Sequence, residues 1–122
     1  MNCTRITIGG CRDFEDYEVF SKFVSECIEK IKPCDKIIIL SGHCKGTDLM
    51  AERYAAEMGH EVEIHTANWE KYGRAAGPKR NSEMIQNSHA LIAFWDCKSK
   101  GTKNLVDTAK KKNIPVYVKS IL

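Results

Sequence analysis

The chain has no cysteine pair at CxxC spacing, no apolar stretch long enough to span a bilayer, and only three prolines. Each absence removes a class of protein. Without CxxC pairs, the six cysteines Cys3, Cys11, Cys27, Cys34, Cys44 and Cys97 are expected to be reduced thiols rather than a disulfide framework. Cys27 falls on the apolar face of a helix, and Cys11, Cys44 and Cys97 each fall near a strand end. Those three are read as either a small metal set or incidental thiols, with thiols preferred. The four histidines, His43, His60, His65 and His89, show no metal-ligand spacing, so no metal and no obligatory cofactor are expected. The opening Met1-Asn2-Cys3-Thr4-Arg5 lacks a secretory apolar region, which leads us to expect a cytoplasmic protein without membrane attachment.

Charge of one sign is also in short supply. Lys and Arg number 19 against 16 Asp and Glu, a net charge of +3 that demands no nucleic-acid partner. Seven lysines and one acid, Asp107, lie in residues 98–122, but no interleaved pattern of aromatics accompanies them as a single-strand groove would require. Single-stranded DNA is therefore the last of the partners expected. A homo-oligomer is left open.

What is present is an alternation of short strand-like runs with helical periods, in a chain of 122 residues that is expected to form one domain. Strands are expected at residues 5–8, 36–40, 61–65, 90–95 and 116–119. Helices are expected at 14–32, 47–58, 78–87 and 102–112. Tyr17, Phe20, Val24, Cys27, Ile28 and Ile31 recur at three and four residues to give the first helix one apolar stripe. Ile37-Ile38-Ile39-Leu40 reads as a central strand buried on both faces. Residues 66–77 show no clean period, and so long a connection is often functional. Five strands and four helices in strict alternation predict a Rossmann-like three-layer αβα sandwich. Its sheet should be mainly parallel, with strand order 3-2-1-4-5 preferred.

In such sheets a ligand binds beyond the carboxyl ends of the strands, where the winding reverses. That rule selects the loops at residues 9–13, 41–48 and 96–102. The middle loop, Ser41-Gly42-His43-Cys44-Lys45-Gly46-Thr47-Asp48, is neither a Walker loop nor GxGxxG. Its glycines and the following helix terminus nevertheless suit a phosphate. The last loop, Asp96-Cys97-Lys98-Ser99-Lys100-Gly101-Thr102, is a second small-residue entry to a helix. There Thr102 either caps the helix or offers a hydroxyl.

Together these loops nominate Gly9, Gly10, Arg12, Ser41, Gly42, Gly46, Thr47, Asp48, Arg80, Asn81, Asp96, Ser99, Gly101 and Thr102 for a nucleotide or nucleotide-derived phosphate ligand. Arg80 either clamps a phosphate or pairs with a carboxylate, and Asn81 either reads a base or ribose or braces the loops. Trp69 and Tyr72 either stack on a base or pack on the sheet edge. Asp48 and Glu52, four apart on one helical face, are the candidate catalytic pair of an alternative hydrolase acting on N-glycosidic or phosphate bonds. Asp13 or Asp96 would join them across the cleft. Equally, Asp48 suits a first helical turn and Glu52 a basic neighbour without any catalytic role.

The ordered set Gly9-Gly10-Cys11-Arg12-Asp13, residues 41–48, Ala51-Glu52, Ala76-Gly77-Pro78-Lys79-Arg80-Asn81 with Met84, and Ser99-Lys100-Gly101-Thr102 resembles the DUF2493 family. That family is described as the YspA-type, YpsA-related branch of the SLOG superfamily. The resemblance implies a Rossmann-like fold with glycine-rich turns lining a nucleotide-derived ligand site. The superfamily also contains cytokinin-activating phosphoribohydrolases, the DNA-processing protein A family and proposed nucleotide sensors. The phosphoribohydrolases share Pro-Gly-Gly-x-Gly-Thr-x-x-Glu, whereas Leu105 stands here at the place of the acid. Leucine cannot handle a proton, so the resemblance implies binding or sensing and leaves catalysis open. In the middle loop, His43, Cys44 and Thr47 replace the smaller residues usual in the family.

Overall fold

The computed structural model describes residues 3–33 and 36–121; Cys34 lies outside them. In chain order the elements are β1 (Cys3–Gly10), α1 (Tyr17–Ile31), β2 (Lys36–Ser41), α2 (Thr47–Met58) and β3 (Glu61–Ile64). They continue with α3 (Trp69–Tyr72), a 3-10 turn (Gly73–Ala75), α4 (Ala76–Gln86), β4 (Ala90–Trp95), α5 (Lys100–Lys112) and β5 (Val116–Ser120). All five strands are parallel in the order β3-β2-β1-β4-β5, as the alternation predicts.

The strand period of two divides the core into layers. Ile6, Ile8, Ile39, Ile92 and Phe94 face α1 and α2, where they meet Phe20, Val24, Cys27, Ala51 and Tyr54. Leu40, Leu91 and Ala93 point the other way, onto Met84, Ile85, Leu105, Val106 and Ala109 of α4 and α5. Phe94 anchors the first layer by stacking on Phe20 at 4.9 Å and Phe14 at 5.2 Å between ring centroids. Cys27 is core, as its helical position predicts, and burial pushes its thiol up to about 11.

Differences from the sequence-based boundaries have local causes. The helix expected from Phe14 starts at Tyr17, because Asp16 caps it by accepting from the Val19 amide at 3.2 Å. Residues 66–77 are not irregular throughout: Asn68 caps the four-residue α3 by accepting from the Lys71 amide at 3.0 Å. The described residues thus hold five α-helices rather than four, and α5 begins at Lys100, two residues before Thr102.

Lys112, in the last turn of α5, reaches across to the end of α4. Its Nζ donates to the carbonyls of Ile85 at 2.9 Å and Gln86 at 2.7 Å in the last turn of α4, the first of which also accepts from the Ser88 amide at 3.1 Å. Lys112→Met should therefore lower stability by about 1 kcal/mol, measured by urea denaturation, while Lys111→Met should change little.

Candidate functional site

β1 and β4 are neighbours, yet one leads to a helix on one face of the sheet and the other to a helix on the opposite face. Beyond them the chain must part, and this opens a crevice. The strands come very close just before it: a Cβ on Gly10 would sit 2.2 Å from the Phe94 carbonyl oxygen, so only glycine fits. The Cys11 amide then closes the sheet by donating to that same carbonyl at 3.0 Å.

The resulting cleft measures about 580 Å³. Gly9, Gly10, Cys11 and Leu105 line it, together with Asp48, Arg80 and Asn81, with Ser99, Lys100, Gly101 and Thr102 at the start of α5, and with Trp69 and Arg74. Of the residues nominated from sequence, Gly9, Gly10, Arg12, Asp48, Arg80, Asn81, Ser99, Gly101 and Thr102 meet here. Ser41, Gly42, Gly46, Thr47, Asp96 and Glu52 do not line it, and the geometry shows why.

The start of α2, expected to receive a phosphate, is already occupied by protein. Both the amide and the hydroxyl of Thr47 donate to the Cys11 carbonyl, at 3.3 and 2.9 Å. Gly46 is the helix N-cap at φ 78°, ψ −125°, and a Cβ there would lie 2.3 Å from the Arg12 carbonyl oxygen. Gly42 makes room for Arg80, whose Nη1 would be 2.4 Å from a Cβ at that position. These glycines permit chain to approach chain. The buried Ser41 hydroxyl donates to Glu52 at 2.9 Å, and His43 Nδ1 lies 2.8 Å from the same carboxylate oxygen. Glu52 is thereby held in the 41–43 turn, and the expected pair of carboxylates does not converge on the cleft.

The start of α5 is arranged in the opposite way. Asp96 accepts from the amides of Lys98 and Ser99 at 2.8 and 2.7 Å, and from the Ser99 hydroxyl at 3.0 Å. Those donors hold the Asp96 carboxyl down at about 2. Because the Ser99 hydroxyl is committed to Asp96, it makes no cap to the helix. The Lys103 amide, donating to the Ser99 carbonyl at 3.1 Å, closes the first helical turn and leaves the amides before it uncapped toward the cleft. A Cβ on Gly101 would meet no protein atom within 4 Å.

Arg80 fulfils neither sequence-based alternative by itself. Its Nη1 donates to the Gly42 carbonyl at 3.0 Å and its Nε to Asn81 Oδ1 at 3.1 Å, which fixes the guanidinium in the cleft wall. Asn81 braces the loops, donating to the Gly101 carbonyl at 3.3 Å and to Asn104 Oδ1 at 3.0 Å. Trp69 is 51% exposed and touches the cleft, whereas Tyr72 lies outside it beneath Lys79. Asp48 is only 6% exposed, and burial pushes its carboxyl up to about 6 against the pull of the Cys44 amide and Arg80.

Sequence reasoning did not nominate Arg74, Lys100 or Asn104, which also line the cleft. Arg74 lies in the long connection flagged for its length, but no spacing there signals that the chain returns to the site. Cys11 and Cys97 part company: Cys11 is buried against Ser99 at 3.3 Å, while Cys97 is exposed. Among the described residues no group of three His, Cys, Asp or Glu is placed to hold a metal ion, and no helix is long and apolar enough to cross a membrane.

Comparisons with known proteins agree with this architecture. The X-ray structure of DNA processing protein A (DprA) from Streptococcus pneumoniae superposes with a TM-score of 0.73 over 98% of this chain, at 18% identity. The present chain spans 52% of that one, and the likeness is one of fold. Gene 61 protein of Mycobacterium phage D29 is 35% identical over 86 residues, covering 66% of this chain and 69% of its own length. A family model described as YAcAr, the YspA, cpYpsA-related SLOG family, matches residues 4–72, a segment containing two of the three strand-end loops and Asp48. The chain belongs to the YspA, cpYpsA-related SLOG family.

Proposed function

We propose that this protein binds a nucleotide or nucleotide-derived phosphate ligand, with the phosphate on the first turn of α5. The observation that carries this reading is Gly101. Glycine in a helix costs roughly 0.5–1 kcal/mol relative to alanine, and no protein neighbour requires it here. The empty space it leaves sits over uncapped amides at the positive end of a helix dipole, where a phosphate oxygen can approach the backbone. Four cationic side chains, Arg12, Arg74, Arg80 and Lys100, line the cleft against two acids, Asp13 and Asp48. Trp69 offers an aromatic face at the rim. Binding is favoured over hydrolysis because Glu52 is engaged elsewhere and Leu105 puts an apolar group on the floor.

Thermal melting with a panel of nucleoside phosphates, ADP-ribose, dinucleotides and a single-stranded oligonucleotide tests the proposal. The small nucleotides should raise the melting temperature in proportion to the logarithm of their concentration. Gly101→Ala should leave the unliganded protein at least as stable as the parent and weaken binding about tenfold or more, the equivalent of about 1.4 kcal/mol. Absence of any shift at saturating ligand, or unchanged affinity in Gly101→Ala, would overturn the assignment. A shift with the oligonucleotide alone would move it to nucleic acid.

A further inference from the structure

One buried acid in the cleft has an unused face. Asp48 Oδ2 accepts from the Cys44 amide at 3.2 Å, but Oδ1 takes part in no hydrogen bond among the described residues. The nearest guanidinium does not neutralise it, since Arg80 directs Nη1 to the Gly42 carbonyl and Nε to Asn81. No ion pair to Asp48 forms among the described residues. A carboxylate 6% exposed and without an ion pair among the described residues is costly to keep at a cleft wall, and its unbonded oxygen is left open to the cleft. An idle acceptor of this kind is satisfied by a ligand that brings a donor.

The position of Oδ1 narrows the choice of donor. Oδ1 lies 3.4 Å from the point where a Cβ on Gly9 would be, and Leu105 Cδ2 lies 3.0 Å from the same point. Asp48 and Leu105 therefore flank one spot on the floor. Leu105 follows Gly101 by four residues on α5, so that spot lies within about one helical turn of the phosphate seat. A second phosphate would be repelled there by the carboxylate. The sugar hydroxyls of a 5′-nucleotide come this close to its own phosphate, and a hydroxyl brings the proton that the free carboxylate oxygen can accept.

We infer that Asp48 is the acceptor for the sugar hydroxyls, so that the site selects 5′-phosphorylated ribose compounds over their deoxy counterparts. This rests on the nucleotide reading above. The free oxygen suits a vicinal diol, and the bare methylene of a deoxy sugar would leave it unsatisfied. Gly9 is then required at the floor, because a side chain there would fill the space between Leu105 and the carboxylate.

Calorimetric titration of the parent protein and of Asp48→Asn with AMP, 2′-deoxy-AMP, 2′,3′-dideoxy-AMP and ribose 5-phosphate tests the inference. Asparagine keeps an oxygen for the Cys44 amide and turns a donor toward the ligand. The parent should bind AMP roughly tenfold or more tighter than the dideoxy compound, a typical effect of hydrogen bonds to a charged acceptor. Ribose 5-phosphate should retain measurable binding. In Asp48→Asn, where an amide replaces the charged acceptor, the preference should shrink severalfold while dideoxy-AMP binds as in the parent. Equal affinity of the parent for AMP and dideoxy-AMP, or a preference undiminished in Asp48→Asn, would overturn the sugar assignment and leave the nucleotide reading intact. If none of the four compounds binds the parent, the sugar assignment falls, and the nucleotide reading is decided separately by the melting panel with ADP-ribose and the dinucleotides.

Discussion

Gly46→Ala should destabilise the protein by roughly 3 kcal/mol or more, a large loss for the addition of one methyl group. Two independent causes combine. The backbone at φ 78°, ψ −125° belongs to a region essentially reserved for glycine. In addition, the new Cβ would lie 2.3 Å from the Arg12 carbonyl oxygen and 2.8 Å from that of Cys11, both backbone atoms that cannot swing aside. Relief requires separating the 42–46 loop from the end of β1, which breaks the paired Thr47 donors to Cys11 and shifts Asp48 with them. Urea denaturation measures the loss, and nucleotide titration of the folded fraction should show weakened binding as well. Gly101→Ala is the natural control, since the same chemical change in open space should be neutral or stabilising. A loss below 1 kcal/mol in Gly46→Ala would mean that the loop yields easily and does not set the position of Asp48.

The second large effect is a gain. Asp48→Asn should stabilise the unliganded protein above neutral pH by roughly 3 kcal/mol, taking 1.36 kcal/mol per pH unit for a carboxyl raised from 3.8 to about 6. Burial is the principal cause. The Cys44 amide, Arg80 and Arg12 pull the carboxyl down, Glu52 on the same helix pushes it up, and burial outweighs them. Between the unfolded value and about 6, the native state holds a proton that the unfolded chain has released. The stability contributed by Asp48 is therefore fully present below the unfolded value and lost as pH rises through about 6. The difference between Asp48→Asn and the parent should be near zero at pH 3.5, grow across this window and level off above pH 7. Asp96 and Glu63 are shifted the other way by their hydrogen bonds, so they stabilise at higher pH and cease to do so in acid. Both proteins share that contribution, and it cancels in the comparison. A difference that does not vary with pH would show that Asp48 carries its charge in comfort without a ligand.

The fold was readable from sequence to the extent that periodicity and caps express it. Ala90–Trp95 and Thr47–Met58 begin and end where their patterns place them, because a run of apolar residues and a glycine at each helix boundary leave few alternatives. The α3 helix went unseen because four residues carry no period, and its signal is a single Asn68 cap. The early start of α5 was hidden by Gly101, which reads as a helix breaker until the structure shows it inside the first turn.

The site divided along a different line. Glycines in residues 41–48 correctly marked close approach, but sequence does not say what approaches. Gly42 and Gly46 face protein, while Gly101 faces open space. Likewise the four-residue spacing of Asp48 and Glu52 placed both on one helix, yet the partner that decides their roles, Ser41, comes from the preceding strand. Arg74 was beyond reach for the same reason, since its place in the cleft depends on how the 66–77 segment folds back.

The division of labour between the two helix starts also bears on how this protein can change. The cleft is held open by backbone closures: the Thr47 donors on the Cys11 carbonyl, and the turn that Asp96 draws around Lys98 and Ser99. Arg12, Arg74 and Lys100 line the same cleft but form no hydrogen bond or ion pair among the described residues. These three can therefore be exchanged for other charges or shapes at little expense to folding, which changes the lining of the cleft without changing its frame. Thr47, Gly46 and Asp96 have no such liberty, because each holds one segment of backbone against another.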